Sequence, residues 1–492
     1  MIKIHKADES FCFVECDYDQ AIDISKQFEF YAPNFQFSPK YKAGVWDGKI
    51  RLFPVKTCML PQGLWPRLVQ YLERTGREHW VDPLLQERGK KISANNVKRF
   101  AADVLKCDLV PRDYQILAVQ HMLYRKKMVA LSATSSGKSF IIFLLFNLLK
   151  YLDDEFKFLL VVPTTSLVEQ MHGDFCEYGK NFGDFRQYVH RIYSGKEKYT
   201  DKPITVSTWQ SLAKQGKRYF EQFDCVVVDE CHTAGAKLLT EIVNRCVNAV
   251  YKVGTSGTLK DTKLDTLALE GLFGLIARIS RTKDLMDRKY VAKLRINGIV
   301  LKYPKSDCRA VKNMADWGAE NKFINGQVAK QRYLCSLAES RDKNTLMLFR
   351  SISFGKRLVE ILEKRGRKSV FYADGGVKVK EREAIRAYCE SHDDAVVVAS
   401  YGTFSTGINI KNLHNVVFAE SMKSVIKVLQ SLGRLLRLHE SKAFATLFDV
   451  TDDLTYGREK NYVLSHFLDR IGYYESEGLS YSVRNVDLSK RK

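Results

Sequence analysis

The sequence lacks any apolar run long enough to cross a bilayer. Its most apolar stretch, FIIFLLFNLL at residues 140–149, is about half the length that a membrane-spanning helix requires. The opening residues MIKIHKADESF contain no apolar core of the length typical of a signal peptide. These absences predict a soluble protein that works in the cytoplasm, rather than a membrane-embedded or secreted one.

Cysteine patterns typical of metal or disulfide scaffolds are also missing. The 11 cysteines include no C-x-x-C pair, so their spacing favours neither a zinc site nor a disulfide framework. Cys225, Cys231 and His232 lie close in sequence, but their spacing suits a structural or nucleotide-coupled role better than a metal cluster. We expect most thiols to be small buried side chains in a reducing compartment.

Acidic residues are outnumbered along the whole chain. Lysine and arginine total 78 against 57 aspartates and glutamates, which gives a formal net charge of +21. The basic residues are spread out rather than concentrated in one tail, and this suits a long groove for a polyanion. Nucleic acid is therefore the expected partner, and a membrane surface is the second alternative.

After residue 108, short runs rich in valine, leucine and phenylalanine alternate with helical stretches. Examples are FKFLLVVP at 156–163, FDCVVVDE at 223–230, AVVVAS at 395–400 and NVVFAE at 415–420. Continuous apolar strands between helices predict parallel sheets that are covered on both faces. The expected fold class is α/β, with two such domains in tandem.

The first hundred residues have a different pattern. FQFSPKYKAGVWDGKIRLF at 35–53 alternates in character and contains Asp47-Gly48, a strong turn signal between two strands. We expect a hairpin there, with Lys49 and Arg51 on one face of its second strand. These residues therefore predict a separate, small α+β domain.

A phosphate-binding loop is indicated by LSATSSGKSF at 131–140, although the glycine that should open the pattern is replaced by Ser132. Only the later glycine is hard to replace, because backbone N–H groups and a helix N-terminus converge on the phosphate oxygens there. The lysine of the pattern reaches the β and γ phosphates, and the hydroxyl after it binds Mg²⁺. The predicted nucleotide-binding residues of the loop are Ser135, Ser136, Gly137, Lys138 and Ser139.

Two carboxylates follow the apolar strand in VVVDECH. Asp229 is placed to hold the Mg²⁺ that bridges the phosphates, and Glu230 to polarise the attacking water. Upstream, PRDYQ places Arg112 where a guanidinium could stack on adenine and Gln115 where an amide could read its edge. A phosphate loop followed by such a strand predicts hydrolysis of ATP, with ATP and Mg²⁺ as cofactors.

The second α/β domain offers cations for the same reaction. QSLGRLLR at 430–437 places Arg434 and Arg437 three residues apart on one helical face. A guanidinium that meets the transferred phosphoryl group stabilises its transition-state charge. The glycine before the pair favours this catalytic interpretation over ordinary surface arginines.

Taken in order, these motifs resemble those of superfamily 2 helicases of the DExH type. The resembling segments are SATSSGKS (motif I), PTTSLVEQ (Ia), STWQSL (Ib), DECH (II), TSGT (III), LFRSISFGKRL (IV), YGTFSTGINIKNL (V) and QSLGRLLR (VI). The resemblance implies two RecA-like motor domains. The expected domains are 1–105 (N-terminal, DNA-binding), 106–285 (first motor domain), 286–335 (linker and connecting helix) and 336–492 (second motor domain with a C-terminal extension).

The resemblance also implies roles for individual residues. It gives Lys138, Asp229 and Glu230 their catalytic roles, with Arg434 and Arg437 as arginine fingers, and it adds Gly407, Asn409 and Gln430 to the nucleotide site. The chain departs from the family at two points: Leu436 replaces the usual glycine, and Asn409 replaces an aspartate that many members carry. Position 409 therefore supplies an amide where many members supply a carboxylate.

Short donors at strand ends suit the phosphate oxygens of a nucleic-acid track. The predicted contacts are Thr164, Thr165, Thr208, Arg350, Ser351, Thr403 and Thr406 in the motor, with Trp46, Lys49 and Arg51 at the N-terminal hairpin. Each threonine or serine could instead be a turn or cap residue. Trp46 could instead be a core residue, with the neighbouring lysines on a solvated face.

Within the superfamily, FSPKYKAGVWDGKIRLF and VASYGTFSTGINIKNLHNVV most resemble the UvsW-like branch-migrating helicases of phages. This implies an enzyme acting in the bacterial host cytoplasm on forks, D-loops and Holliday junctions, in recombination, replication or repair. Two alternatives stay open, an RNA helicase and a double-stranded DNA translocase without strand separation. These alternatives stay open because the motor motifs contact the nucleic-acid backbone and do not distinguish ribose from deoxyribose.

Overall fold

The computed structural model describes residues 1–32, 34–193, 197, 199–233, 237–257, 263–314, 316–403, 410, 412–422 and 444–489. The chain divides into two compact units, residues 1–132 with 137–279 and residues 133–136 with 280–492. Each unit contains a large sheet of parallel strands with helices between them. The predicted α/β class with tandem motor domains is confirmed.

The first unit begins with a small α+β domain. Its strands are β1 (Ile2–Lys6), β2 (Phe11–Glu15), β3 (Glu29–Tyr31), β4 (Lys49–Arg51), β5 (Met59–Pro61) and β6 (His79–Val81). Its helices are α1 (Tyr18–Gln27), α2 (Pro39–Lys42), α3 (Trp65–Arg74), α4 (Pro83–Gln86) and α5 (Ala94–Arg99). One sheet has the order β5-β2-β1-β6, and its core is made by apolar side chains such as Ile4, Ile24, Leu60 and Leu68.

Strands β3 and β4 form a separate two-stranded sheet, and this corrects the predicted hairpin. Tyr31 pairs with Lys49 in antiparallel register, so the partner of β4 lies well before Asp47-Gly48. A short 3-10 helix and α2 fill the connection between the two strands. Gly48 has a φ of +79°, and the Phe35 ring lies so close that a Cβ there would meet it at 2.4 Å. The glycine therefore serves a close approach within a long loop, not a two-residue turn.

The small domain packs tightly on the first motor domain. Leu267 of the motor domain belongs to the hydrophobic core of the small domain. Lys127 Nζ lies 2.6 Å from Glu9 Oε2, and Lys252 Nζ lies 2.5 Å from Ser10 Oγ. Removing the small domain would expose this apolar surface and leave the buried Lys252 and the half-buried Lys127 without these partners.

Because of Lys252, the stability of the protein is expected to depend on pH. Burial, and next to it the charge of Lys127, lowers the pKa of Lys252 from 10.5 to about 7. Between these values the unfolded chain binds a proton that the folded chain does not, so stability rises with pH by at most about 1.4 kcal/mol per pH unit. Lys252→Met lacks this contribution. We therefore expect the difference in Tm, wild type minus variant, to increase between pH 7 and pH 9.5 in thermal melts. Tm values that change equally with pH in both proteins would contradict this.

The first motor domain is built on a sheet in the order β13-β7-β12-β11-β8-β10-β9. Its strands are β7 (Lys127–Ser132), β8 (Phe158–Val162), β9 (Val189–Ile192), β10 (Ile204–Thr208), β11 (Cys225–Asp229), β12 (Tyr251–Ser256) and β13 (Leu275–Ser280). Its helices are α6 (Asp113–Arg125), α7 (Lys138–Leu152), α8 (Thr165–Tyr178), α9 (Trp209–Leu212), α10 (Lys217–Phe220), α11 (Lys237–Arg245) and α12 (Lys263–Phe273). Because β12 pairs in parallel with both β7 and β11, the carboxyl ends of these three strands lie at one edge of the sheet, where ligands of such folds bind.

The second motor domain has a sheet in the order β16-β17-β15-β18-β19-β14-β20. Its strands are β14 (Lys293–Lys302), β15 (Thr345–Phe349), β16 (Ser369–Ala373), β17 (Ala395–Ser400), β18 (Asn415–Phe418), β19 (Phe444–Asp453) and β20 (Tyr481–Asp487). Its helices are α13 (Thr282–Asp287), α14 (Lys305–Lys312), α15 (Trp317–Gly326), α16 (Val328–Glu339), α17 (Ile352–Arg365), α18 (Val379–Ser391) and α19 (Tyr462–Ser476). Neighbouring strands pair in parallel.

Much of the expected linker at 286–335 is built into the second sheet, which is a correction. Strand β14 pairs with β19 along its whole length and with β20 from Ile296 to Lys302. Lys330 of α16 is buried and lies 2.7 Å from Asp452 of β19. The polar residues in KLRINGIVLK hide the strand pattern in the sequence, but its last hydrophobic residues are buried between two neighbours.

Among the described residues, no helix has the length and apolar character needed to cross a bilayer. The cysteines are free thiols, and the predicted burial of most of them is confirmed. The buried ones are Cys12, Cys225, Cys231, Cys246, Cys308, Cys335 and Cys389. Burial raises the pKa of the Cys12 thiol to about 12, so this side chain packs as an apolar residue and is not a reactive thiolate.

Candidate active site

The phosphate loop joins β7 to α7. Gly137 forms the N-cap of α7 with a φ of +78°, and Ser135 has a φ of +67°. Left-handed residues at these points turn successive N–H groups towards the start of the helix, where anions bind. Ser132 is a buried residue at the end of β7, so a strand conformation replaces the glycine that usually opens the loop. The side chain of Ser136 is also buried.

Gln115 lies directly against this loop. A Cβ on Gly137 would meet Gln115 Nε2 at 2.6 Å, so the close approach requires glycine there. The Gln115 Oε1 atom accepts a hydrogen bond of 2.9 Å from the backbone N–H of Arg112, and the Arg112 guanidinium donates to the Tyr114 hydroxyl at 3.2 Å. The structure therefore orients the Gln115 amide beside the loop and places Arg112 at the start of α6.

The two carboxylates at the end of β11 lie beside the phosphate loop. Lys138 Nζ is 3.7 Å from Glu230 Oε1, and the Thr255 hydroxyl donates to Asp229 Oδ1 at 2.7 Å. Glu230 has a φ of +53°, a left-handed conformation that costs free energy in a non-glycine residue and is often found at active sites. The structure thus brings together the lysine and both carboxylates that the sequence predicts.

The end of β12 orients Glu230 through a small polar cluster. His232 Nδ1 lies 2.9 Å from Ser256 Oγ and 3.3 Å from Glu230 Oε2. The Ser256 hydroxyl is also 3.5 Å from Glu230 Oε2. Because His232 and Ser256 are both buried, the cluster fixes the carboxylate in one position at the edge of the sheet.

The same contacts set the ionisation of the two acids. Burial alone would raise the pKa of Glu230, but the Lys138 ammonium and the hydrogen bond from His232 outweigh it and lower the pKa to about 2. Burial, and then the neighbouring charge of Glu230, raises the pKa of Asp229. The pKa of Glu230 is therefore lowered and that of Asp229 raised, so Asp229 is the carboxylate that gains most from a nearby cation.

Ser139 and Asp229 fit the requirements of a Mg²⁺ site. Magnesium in nucleotide sites is usually held by one or two protein oxygens together with phosphate oxygens and water. The Asp229 carboxylate and the Ser139 hydroxyl are oxygen donors of this kind. Ser139 Oγ lies 2.9 Å from the Tyr178 hydroxyl, which orients the serine side chain.

Several predicted residues lie outside the described part of the chain. They are Thr406, Gly407, Asn409, Gln430, Arg434, Leu436 and Arg437. Their roles stay predictions.

Two of the predicted track residues in the first motor domain act as helix caps. The Thr164 hydroxyl accepts from Leu167 N–H at the start of α8, and the Thr208 hydroxyl accepts from Ser211 N–H at the start of α9. Thr208 is buried, whereas Thr165 is exposed. Thr164 and Thr208 therefore cap helices and Thr165 is exposed, and contact of these three residues with a nucleic-acid track stays a prediction.

In the second motor domain, the start of α17 is organised by a buried acid. Glu420 Oε2 accepts hydrogen bonds of 2.8 Å from the backbone N–H groups of Arg350 and Ser351. The Arg350 guanidinium lies 4.5 Å from the centre of the Trp317 ring. Thr403 is buried and lies 2.8 Å from Ser400 Oγ. Arg350 is thus exposed and held in place, and Thr403 is buried against Ser400; the contact of either residue with a track stays a prediction.

The N-terminal residues predicted to bind DNA have partners within the domain. Lys49 and Arg51 do share one face, because both form ion pairs with Glu29. Arg51 also pairs with Asp47. The Trp46 indole is half-buried, and its N–H donates to the Lys49 carbonyl at 2.9 Å. In this conformation the side chains of Trp46, Lys49 and Arg51 stabilise the loop.

Sequence reasoning missed three positioning residues. Thr255 and Ser256 contact the carboxylates, and the hydroxyls of the TSGT motif after an apolar strand were the available signal. Tyr178 contacts Ser139 from the far end of α8, and no local pattern links residues 39 positions apart.

Three family models match different parts of the chain. Residues 1–82 match the N-terminal domain of DNA helicase UvsW, and residues 108–261 match the res subunit of type III restriction enzymes. Residues 329–439 match the helicase conserved C-terminal domain. One match lies in the small domain, one in the first motor domain and one in the second.

Whole-chain comparisons agree with these matches. The ATP-dependent DNA helicase UvsW of Enterobacteria phage T4 is 33% identical over 99% of this chain and 100% of its own length. A crystal structure of T4 UvsW covers 99% of both chains with a TM-score of 0.52 and 32% identity. Dbp5 of S. cerevisiae bound to RNA, at 13% identity and a TM-score of 0.51, covers 80% of this chain and 93% of its own, which shows the fold alone. The whole-length similarity to the phage enzyme shows that this chain belongs to the UvsW family of ATP-dependent DNA helicases.

Proposed function

We propose that this protein hydrolyses ATP to unwind and branch-migrate branched DNA, such as forks, D-loops and Holliday junctions, in the cytoplasm of a bacterial host. The observation that carries the ATPase part is the contact of Lys138 with Glu230 at the edge of the sheet where Asp229 also lies. Membership of a DNA helicase family supports DNA as the polymer.

In the proposed reaction, each group of the site has one task. Lys138 binds the β and γ phosphates, and Glu230 orients and polarises the attacking water. Asp229 and Ser139 would hold Mg²⁺, which would neutralise charge on the phosphates. Arg434 and Arg437 stabilise the charge that develops on the transferred phosphoryl group.

The strand being tracked is held by its phosphates. Thr165 and Arg350 are exposed candidates for these phosphate contacts. Ser351 follows Arg350 at the start of α17, where Glu420 accepts hydrogen bonds from the backbone N–H groups of both residues. Contacts of this kind are independent of sequence, and they weaken as salt rises. A preference for branched DNA must therefore come from a further surface, which we place in the N-terminal domain.

A substrate panel tests this function. The full-length protein is given end-labelled forks, Holliday junctions, linear DNA duplexes and RNA duplexes, with ATP or without it, and ATP hydrolysis is measured on the same samples. We expect ATP-dependent products from forks and junctions, and ATPase activity that is low without DNA and rises when DNA is added.

Other outcomes would contradict the proposal. Equal processing of RNA duplexes would favour an RNA helicase, and hydrolysis without strand separation would favour a double-stranded DNA translocase. Equal ATPase with and without DNA would contradict the coupling. Deleting the N-terminal domain is an unsuitable test, because Leu267 and Lys127 would lose the partners that they have in it.

A further inference from the structure

Helix α15, in the second motor domain, carries none of the helicase-like motifs, yet two polar residues in its middle are buried. Glu320 is 2% exposed and Asn321 9%. The Glu320 carboxylate accepts hydrogen bonds from the backbone N–H groups of Tyr462 and Val463 at the start of α19. Because a buried acid is costly unless it is bonded in this way, the contacts fix α15 in one position against α19.

Asn321 joins α15 to the loop that begins α17. Its Nδ2 donates to Glu420 Oε1 at 2.6 Å. The other carboxylate oxygen of Glu420 accepts from the backbone N–H groups of Arg350 and Ser351. Glu420 is 1% exposed, so water does not compete for these bonds. They therefore hold the backbone of the loop in one conformation.

Trp317 holds the side chain of Arg350 from the same helix. Trp317 and Asn321 are four residues apart in α15 and lie on one face of it. The Arg350 guanidinium lies 4.5 Å from the centre of the Trp317 ring, within the range of a cation–π contact. Arg350 is exposed, and within the described ranges of the chain it has no ion-pair partner. A guanidinium held in this way can offer two parallel donors to phosphate oxygens.

The indole N–H of Trp317 separates the role of the ring face from that of the polar atom. Within the part of the chain that the structure describes, Nε1 is buried and has no hydrogen-bond partner. An unbonded buried donor destabilises a folded protein. The useful feature of Trp317 is therefore the face of its ring against Arg350.

We infer that Trp317, Asn321 and Glu420 are positioning residues for the DNA strand, because they present Arg350 and Ser351 to its phosphates. This rests on the proposed function, which assigns the latter two residues to the strand. Asn321 and Glu420 set the backbone of the loop, and Trp317 sets the direction of the guanidinium. Donors that are oriented before the strand arrives lose less side-chain entropy on binding.

The first test measures ATPase of the full-length protein against the concentration of a single-stranded DNA oligonucleotide. We expect Trp317→Leu to raise the half-saturating DNA concentration roughly 2- to 30-fold, the range for loss of a cation–π contact. Its kcat at saturating DNA and its affinity for a fluorescent ATP analogue should be unchanged. Trp317→Phe keeps the ring face and removes the unbonded N–H, so it should retain the wild-type value. A wild-type value in Trp317→Leu would overturn the role of the ring.

A double-mutant cycle decides whether Trp317 acts through Arg350. Arg350→Ala should raise the half-saturating DNA concentration and reduce the slope of log affinity against log salt by about 0.7, which corresponds to one phosphate contact on a single strand. In that background Trp317→Leu should have no further effect on the half-saturating DNA concentration. Effects that simply add would show that Trp317 only stabilises the domain, and they would overturn the inference.

Phe444→Leu is a matched control for loss of a ring beside an arginine. Phe444 lies 5.6 Å from the guanidinium of Arg295, at the amino end of β19. Since β15, β18 and β19 are parallel, this end lies at the opposite edge of the sheet from Arg350. The control should leave the half-saturating DNA concentration unchanged, and an equal increase there would contradict a specific role for Trp317.

An exchange of side chains tests the buried pair. Asn321→Asp places a second carboxylate against Glu420, and repulsion between the two acids should displace the loop and weaken DNA binding. Adding Glu420→Gln should restore wild-type binding, because the new amide donates to the new carboxylate while its oxygen still accepts from the loop. A double variant as weak as Asn321→Asp alone would overturn the positioning role of the pair.

Failure of this inference is distinguishable from failure of the proposed function. If the wild-type protein processes forks and Arg350→Ala has the wild-type half-saturating DNA concentration, the positioning role is wrong and the proposed function stands. If the wild-type ATPase does not respond to DNA, the proposed function fails, whatever the variants do.

Discussion

Replacing Lys138 by alanine, or Glu230 by glutamine, should reduce DNA-stimulated ATP hydrolysis by at least about a hundredfold, the scale expected when a catalytic acid–base group is lost. Lys138→Ala removes the charge on the β and γ phosphates. Glu230→Gln removes the carboxylate that orients water, while its amide still fits beside His232. The measurement is steady-state ATPase on saturating single-stranded DNA.

DNA binding should survive both changes, because neither residue lies among the predicted track contacts. Lys150→Ala is a suitable control, since Lys150 lies near the end of the same helix and pairs with Asp154. It removes the same charge far from the phosphates and should leave turnover unchanged. Turnover at the wild-type rate in Glu230→Gln would show that another group activates the water.

The two variants should also differ in whether they still bind ATP. Glu230→Gln keeps the phosphate loop and Lys138, so it should still bind ATP. Lys138→Ala should bind ATP more weakly and should leave Glu230 without its cation. Since the Lys138 ammonium is the largest favourable influence on the low pKa of Glu230, that pKa should rise in the variant. Binding of a fluorescent ATP analogue separates these cases.

The motor fold and the core of its site could be predicted because their signals are local. Strand β8 and the first four residues of β11 are continuous apolar runs, and both strands are buried along their whole length. The polar residues predicted to carry the chemistry lie at or just after the ends of these strands. The Gly-Lys-Ser and Asp-Glu groups meet because parallel strands end at a common edge. No long-range information is needed for this step.

The errors arose where distant segments pair. Asp47-Gly48 has turn chemistry, but the strand that pairs with β4 begins at Glu29, and a close approach of Phe35 explains the glycine. Strand β14 looked like a linker because arginine and asparagine interrupt its apolar residues. Its place in the sheet depends on β19 and β20, which come more than a hundred residues later.

The N-terminal surface illustrates a third limit, because exposure is not a property of a sequence motif. Trp46 was the natural candidate for stacking on a base, since tryptophan is the largest ring. In the structure its N–H is bonded to the Lys49 carbonyl, while Phe37 points to solvent. Only the structure separates the side chains that hold this loop together from those that are exposed, and DNA binding by the loop stays a prediction.

Arg437→Ala should lower ATP hydrolysis by about a thousandfold, the lower end of the range for loss of an arginine finger, while nucleotide binding is nearly kept. The guanidinium meets charge that develops only in the transition state, so its loss should affect turnover and leave ground-state affinity almost unchanged. Arg434→Ala should weaken ATP binding as well if its guanidinium contacts the γ phosphate. The measurements are kcat on saturating DNA and the Kd of a fluorescent ATP analogue.

Two further variants decide whether the planar guanidinium of Arg437 is required. Arg437→Lys keeps a positive charge but loses the fork of donors that matches phosphate oxygens, so it should recover little of the lost activity. Arg458→Ala removes an exposed arginine from the same unit and should hydrolyse ATP at the wild-type rate. If Arg437→Ala turns over ATP normally on saturating DNA, the arginine that completes the site lies elsewhere, and the spacing in GRLLR reflects only a solvated helical face.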